Sequence, residues 1–193
     1  MKGLRKMAWD SFMSVSYDAM TGKAKPWYKV GACYIFIPIV IFGLLFLCRF
    51  DMSDGMHSAF VAFLSLFIAL IFQVIYIATD KFTSRYNDCW TECVRTTKEG
   101  EIPEFKEDVE CYLIRIGNYT RLFVRQMTFV LILSVVIILL SVVEDLYHGV
   151  RLNIVLSSMI MSFFYLWLVY MIHSVKSIYI LLMDDIDFRM KKI

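Results

Sequence analysis

Four stretches without aspartate, glutamate, lysine or arginine divide the chain, and they are its strongest pattern. They cover residues 30–48, 58–79, 126–143 and 152–175, with 18 to 24 residues in each. A helix needs about 20 apolar residues to cross roughly 30 Å of hydrocarbon, and a charge at the bilayer centre costs about 2.5 to 3.5 kcal/mol on insertion scales. The pattern therefore predicts an all-α membrane protein with four transmembrane helices, spans one to four, in a lipid bilayer.

Composition supports this class. Of the 193 residues 59% are hydrophobic, more than the roughly half of a soluble domain. The 20 basic and 18 acidic residues leave a net charge of +2, too balanced to indicate nucleic acid as a direct partner. The sequence has no His-Glu-x-x-His, Gly-x-Ser-x-Gly, Cys-x-x-Cys or phosphate-binding glycine motif, so we predict neither an enzyme nor a cofactor.

Lysine and arginine are unevenly distributed and predict the orientation. Six precede span one and eight lie in segment 80–125, whereas each short connection carries one. Because cytoplasmic loops are enriched in these residues, we predict both termini and segment 80–125 on the cytoplasmic side of the plasma (inner) membrane. Residues 1–25 are expected to form an amphipathic cytoplasmic segment, either on the anionic leaflet or docked on the protein, and residues 26–193 the transmembrane domain.

Segment 80–125 has the periodicity of helices and not of a loop. Apolar side chains recur at helical spacing before and after Gly100, namely Phe82, Tyr86, Cys89 and Cys93, then Phe105, Val109, Tyr112, Ile116 and Tyr119. Gly100 and Pro103 provide a stop and a restart. Spans two and three are therefore predicted to extend into a cytoplasmic helical hairpin.

Three cysteines lie close together in this predicted hairpin. Cys89 and Cys111 are equally far from Gly100, and Cys93 is one turn from Cys89. A Cys-x3-Cys spacing without a nearby histidine is not that of a zinc finger, so we predict no metal ligands. The pattern favours small apolar packing residues in a reducing compartment over a metal or redox site.

Polar residues in the spans are the candidate functional residues, since each needs a partner away from lipid. The candidates for a polar pathway are Gln73, Asn153, Ser157 and His173. Gln73 is interpreted as a helix-packing or a pathway-lining residue, and His173 as a packed neutral histidine or a proton or ion gate. At the outer end of span three, Glu144 and Asp145 are a solvated helix end or, in a ring of subunits, an acidic outer mouth.

Small residues indicate helix contacts. One side of span two carries Ser58, Ala62, Ser65 and Ala69, a pattern that permits close helix approach in lipid. Contacts within one bundle satisfy it as well as contacts with another copy. The hairpin also carries aromatic side chains that two helices cover poorly, so a further subunit or a soluble cytoplasmic protein is expected to cover them.

The layout of two spans, a cysteine-bearing helical hairpin and two further spans resembles small four-span accessory or effector proteins of prokaryotic anti-phage systems, including those beside RNA-targeting type VI CRISPR effectors. The segment that carries the resemblance is 68–76, IALIFQVIY, followed by a charged extension. The resemblance covers architecture over most of the chain and assigns no residue role. It implies an oligomer that perturbs the inner membrane, or one that modulates a soluble effector.

Two functional hypotheses follow. The first is a homo-oligomeric channel or membrane-perturbing effector, in the context of phage defence. The alternative is a non-conducting membrane scaffold or regulatory subunit whose cytoplasmic hairpin docks a soluble partner. A small transporter is disfavoured, because no inverted repeat with broken midplane helices is visible and only Pro38 interrupts a span.

Overall fold

A computed structural model of the chain describes residues 26–99, 103–146 and 150–190. The segment 1–25, predicted to be amphipathic, lies outside these residues. The described residues are almost entirely helical and contain no strand. The prediction of an all-α protein is therefore confirmed.

The first helical segment changes helix type part-way along. Helix α1 (Trp27–Gly31) continues into a π-helical turn (Ala32–Phe36) and then into α2 (Ile37–Leu47). The backbone stays right-handed helical at both junctions, so the three pieces form one continuous helix. The π-helical turn ends two residues before Pro38, whose missing N–H interrupts the α-helical hydrogen-bond ladder.

A tight reversal follows α2 and directs the chain into the next helix. The N–H of Phe50 donates to the carbonyl of Leu45 at 2.9 Å, and the N–H of Arg49 donates to the carbonyl of Phe46 at 3.1 Å. This is the bonding of a Schellman motif, in which the residue after the helix adopts a left-handed conformation. Arg49 has that conformation, with a φ of 52°, at a position that usually holds glycine.

Three long helices make up the rest: α3 (Asp54–Glu99), α4 (Pro103–Leu146) and α5 (Val150–Met190). They contain 46, 44 and 41 residues, which corresponds to about 60 to 70 Å at 1.5 Å per residue. Each is therefore about twice as long as the hydrocarbon core is thick. Helix α5 continues well past residue 175, where the predicted fourth span ends.

Three apolar segments are long enough to cross a membrane, and a fourth is shorter. The long ones are Gly55–Cys89, Tyr112–Leu146 and Arg151–Ile180, and the shorter one is Ala32–Leu47. Their length and composition mark the chain as a membrane-embedded helical protein.

Helix α4 packs against both α3 and α5, and α5 also packs against α2. Helices α3 and α5 meet through aromatic rings: the ring centroids of Phe60 and Phe164 are 4.8 Å apart, and those of Phe67 and Trp167 are 5.2 Å apart. Trp167 and Phe164 are stacked on each other. Large side chains thus fill the centre of the bundle.

A second, smaller cluster joins α3 and α4 beyond the main core. Cys89, Tyr112 and Ile116 are buried there, with Phe82 and Leu113 packed against them. The ring of Phe82 lies against Gly117, where an added Cβ would be 3.5 Å from the ring. The contact between α3 and α4 therefore continues into the parts of these helices that follow residue 80 and precede residue 125. We call these parts the extensions.

Candidate functional site

A buried polar cluster lies at the end of the bundle opposite the extensions. We call it the loop-end cluster: His57 from α3, Glu144 from α4, Ser157 from α5 and the backbone N–H of Met52 before α3. Ser157 Oγ donates to Glu144 Oε1, and the Met52 N–H donates to Ser157 Oγ at 3.1 Å. His57 Nε2 lies 3.4 Å from Glu144 Oε1. The cluster thus connects the consecutive helices α4 and α5 to the start of α3, which is far from both in sequence.

Several atoms of this cluster lack a partner. Glu144 is only 3% exposed and His57 only 7%, yet Glu144 Oε2 and His57 Nδ1 have no hydrogen-bond partner among the described residues. The hydroxyl of Ser141, one turn before Glu144, is also buried and unpartnered there. Buried polar atoms without partners are uncommon and require an explanation.

The position of Glu144 follows from a regular stripe along α4. Val130, Ser134, Ile137 and Ser141 are buried at spacings of three and four residues, and Glu144 is the next position of the same stripe. Asp145, the neighbouring residue, is exposed. The two residues predicted to form an outer mouth therefore have different environments, one inside the bundle and one on its surface.

His173 and Tyr34 form a second interhelical contact. His173 Nδ1 is 2.9 Å from the carbonyl oxygen of Val169, and Tyr34 Oη is 3.2 Å from His173 Nε2. The tyrosine oxygen is also 3.3 Å from Nδ1, so the tyrosine hydroxyl lies against the ring nitrogens, and the roles of donor and acceptor depend on the tautomer of the imidazole. Tyr34 lies in the π-helical turn, so this contact holds the first helical segment against α5.

Further hydrogen bonds between helices use residues outside the predicted polar pathway. Trp167 Nε1 donates to Ser134 Oγ at 2.8 Å, and Ser177 Oγ donates to Gln126 Oε1 at 2.9 Å. Ser162, which the sequence does not place in a pathway, donates to the carbonyl oxygen of Pro38 at 2.9 Å. Such bonds stabilise helix pairs in lipid, where each measures about 0.6 kcal/mol on average.

Gln73 lies apart from these clusters, on the outside of α3. Its side chain is exposed and it has no hydrogen-bond partner among the described residues. In the most apolar window of α3 only 11% of the residues are buried, against 39% in α4 and in α5. Gln73 therefore lies on the least covered of the three long helices.

The exposed side of α3 has its own pattern. The buried residues His57, Leu64 and Ile71 recur every seven positions and face the bundle. On the opposite side the exposed residues include five that are small or polar, and we call these the outward face: Ala62, Ala69, Gln73, Asp80 and Asn87. The apolar Leu66, 61% exposed, lies among them. Successive residues turn by about 100°, which places this set roughly opposite the buried one. The small residues noted in span two thus lie outside the bundle.

The structure brings some of the other candidates together. Asn153 is half-buried one turn before Ser157, near the loop-end cluster, whereas His173 contacts Tyr34. Cys89 is buried in the smaller cluster of α3 and α4, and the side chains of Cys93 and Cys111 lie outside the described part. Within the described residues no three histidine, cysteine or acidic residues are grouped to hold a metal.

Comparison of the chain with known protein families, with curated proteins and with solved structures finds no match.

Proposed function

We propose that the protein is a four-span membrane protein that assembles into a homo-oligomer around α3 and conducts ions across the plasma (inner) membrane. The extensions form a cytoplasmic hairpin and both termini are cytoplasmic in this proposal, in keeping with the distribution of lysine and arginine. The observation that supports it best is Gln73, an exposed amide in the middle of the apolar part of α3, with the small residues Ala62 and Ala69 on the same side of the helix.

A lone amide facing hydrocarbon is unfavourable. Transfer of an amide without a partner into an alkane-like medium costs about 4 to 8 kcal/mol. Gln73 avoids that cost when it faces water in a lumen or an amide on a second copy, because its side chain both donates and accepts hydrogen bonds. Either arrangement turns the outward face away from lipid and toward other copies of the chain.

The interior of a single bundle supports the same arrangement. Trp167, Tyr170 and Phe123 are among its fully buried side chains, and they occupy the space between the helices. A pathway through one copy would require these rings to leave. A pathway between copies, bordered by the small residues of α3, requires no such rearrangement.

The first segment is long enough for the proposed four spans. The continuous helix 27–47 corresponds to roughly 30 Å at 1.5 Å per residue, since the π-helical turn does not interrupt its path.

The test is ion flux from potassium-loaded liposomes that contain the purified protein, with subunit number measured on the same sample. Wild type is expected to conduct as a defined oligomer. Gln73→Leu is expected to abolish flux, with or without loss of the oligomer. The matched control is Phe72→Leu, which changes an exposed neighbour outside the outward face and should conduct normally. A monomeric wild type, or unchanged flux in Gln73→Leu, would overturn the proposal.

A second function, a scaffold whose extensions bind a soluble protein, is favoured by one observation. Ile114 is 58% exposed and Tyr86 44% exposed, on the same two helices as the buried Cys89 and Tyr112. Two results together would favour this function. Liposomes that contain the protein would not release ions, and a soluble protein would bind in stoichiometric amount to the wild type but not to Ile114→Glu. A role in phage defence is the context that the architectural resemblance adds to either proposal, and protection of expressing cells against phage infection would test it.

A further inference from the structure

We propose that an anionic phospholipid binds beside α4 and α5 at the end of the bundle nearest the extensions, where Arg125 and Lys176 contact its phosphate. Arg121, one turn before Arg125 on α4, adds a third positive charge. We call these three residues the basic cluster. The site lies on the outside of one copy of the chain, so the inference rests neither on ion conduction nor on assembly.

Helices α4 and α5 are antiparallel and lie side by side. Ser157 Oγ of α5 donates to Glu144 Oε1 of α4 near the loop end, and Ser177 Oγ donates to Gln126 Oε1 at 2.9 Å near the extensions. Gln126 and Ser177 are both buried. Their hydrogen bond therefore marks one height in the bundle at which the two helices face each other.

Arg125 and Lys176 lie at this height. Arg125 directly precedes Gln126, and Lys176 directly precedes Ser177. Successive residues turn by about 100°, and in an antiparallel pair this rotation brings both preceding residues to the same side. Both side chains are exposed. Because packed helix axes are about 8 to 10 Å apart, two such long side chains can reach one phosphate group.

The apolar part of each helix ends at the same height. Arg125 directly precedes the charge-free stretch 126–143, and Lys176 directly follows the charge-free stretch 152–175. Basic side chains at such a boundary reach the headgroups of a bilayer. On the face of α5 that carries Lys176, the preceding turns expose Ile172 and Leu168, by 67% and 42%. These apolar side chains provide a surface for the acyl chains of the same lipid.

The basic cluster has no acidic partner on its own helices. Neither residues 111–143 nor residues 150–183 include an aspartate or glutamate. Within the described part of the chain, its three side chains form no ion pair. On α3, by contrast, the exposed Lys81 directly follows the exposed Asp80. Three positive charges without a partner at headgroup height favour an anion, and the bilayer supplies one there as an anionic phospholipid.

The experiment is native mass spectrometry of the full-length protein released from micelles that contain equal amounts of phosphatidylglycerol and phosphatidylcholine. A basic residue near an anionic surface contributes roughly a fivefold preference. Wild type is therefore expected to retain phosphatidylglycerol more than about fivefold over phosphatidylcholine. Arg125→Gln and Lys176→Gln should each lower this ratio about fivefold, and Arg125→Lys should keep most of it.

Two matched controls each remove one positive charge outside the basic cluster. Lys81→Gln changes α3 at the same end of the bundle, and Arg151→Gln changes α5 at the opposite end. Both should keep the wild-type ratio. A wild type without preference would overturn the inference. An equal loss in the controls would also overturn it, because net charge and not a site would then set the ratio.

A second measurement needs no variant. A ligand that binds only the folded protein raises the midpoint of thermal unfolding. In detergent, short-chain phosphatidylglycerol should raise the midpoint of the wild type, whereas short-chain phosphatidylcholine and inorganic phosphate at the same ionic strength should not. An equal rise with inorganic phosphate would refute a lipid site. No rise with phosphatidylglycerol would refute it even if the variants of the basic cluster fail to fold.

Discussion

Replacement of Leu64 by alanine tests how the bundle is stabilised. Leu64 is completely buried on α3, whereas Leu70, six positions later on the same helix, is 45% exposed. Six residues correspond to a rotation of about 240° around the helix axis. The two side chains therefore point in different directions, one into the bundle and one away from it. The same deletion at the two positions therefore separates packing in the bundle from the general effect of losing a leucine.

The loss of unfolding free energy that we expect for Leu64→Ala depends on the medium around the unfolded chain. In soluble proteins Leu→Ala in a core costs about 2.7 to 5.0 kcal/mol, and the transfer of three carbons accounts for about 2.4 kcal/mol of this at 0.8 kcal/mol each. In a bilayer or micelle the transfer part largely cancels, because lipid is as apolar as the core. What remains is the lost packing, about 0.3 to 2.6 kcal/mol. We expect Leu64→Ala to cost about 1.5 kcal/mol and Leu70→Ala much less.

The assay is reversible unfolding by sodium dodecyl sulfate in mixed micelles, followed by circular dichroism and tryptophan fluorescence. Equal losses of unfolding free energy in the two variants would refute the assignment of Leu64 to the bundle and Leu70 to its surface. A loss above about 4 kcal/mol at Leu64 would instead show that the unfolded side chain is in water, which contradicts the membrane-based argument.

Three further predictions address other parts of the chain. Ser162→Ala should lower the unfolding free energy by about 0.5 to 1.5 kcal/mol in the same assay, because it removes the hydrogen bond to the carbonyl of Pro38. The control is Ser158→Ala, which loses only a hydrogen bond within its own helix and should change the unfolding free energy very little. Arg49→Gly should raise the midpoint of thermal unfolding, since it relieves a left-handed conformation that costs a non-glycine residue about 1 to 2 kcal/mol; a lower midpoint would contradict this reasoning. A reporter that works only in the cytoplasm should be active at the C-terminus, and activity of a periplasmic reporter there instead would reverse the predicted orientation.

The helical architecture was largely predictable because its cause is local. Stretches without charge, bordered by charged residues, require helices in an apolar environment whatever lies beside them. The π-helical turn before Pro38 and the continuation of α5 to Met190 were not predicted. The first depends on how the chain accommodates a missing N–H. The second depends on apolar residues beyond Lys176, where hydropathy no longer marks a span.

The polar contacts were less predictable, because they join residues that are distant in sequence. His57 and Glu144 are 87 positions apart, and Tyr34 and His173 are 139 apart. The sequence identified Glu144, Ser157 and His173 as polar residues near lipid, but not their partners. A signal for Glu144 was present, since it continues the seven-residue stripe of α4 that includes Ile137. The orientation of Gln73 required knowledge of which side of α3 meets the bundle.

The unbroken course of α3 and α4 from the apolar core into the extensions has a mechanical consequence. Neither helix changes type between the two clusters that join them, so each behaves as a rigid rod with no hinge where the extension begins. An extension of about 20 residues is roughly 30 Å long, and a tilt of about 6° at its base moves its tip by about 3 Å over that length. A force applied at the tip is transmitted by the same rods to the helices in the bilayer.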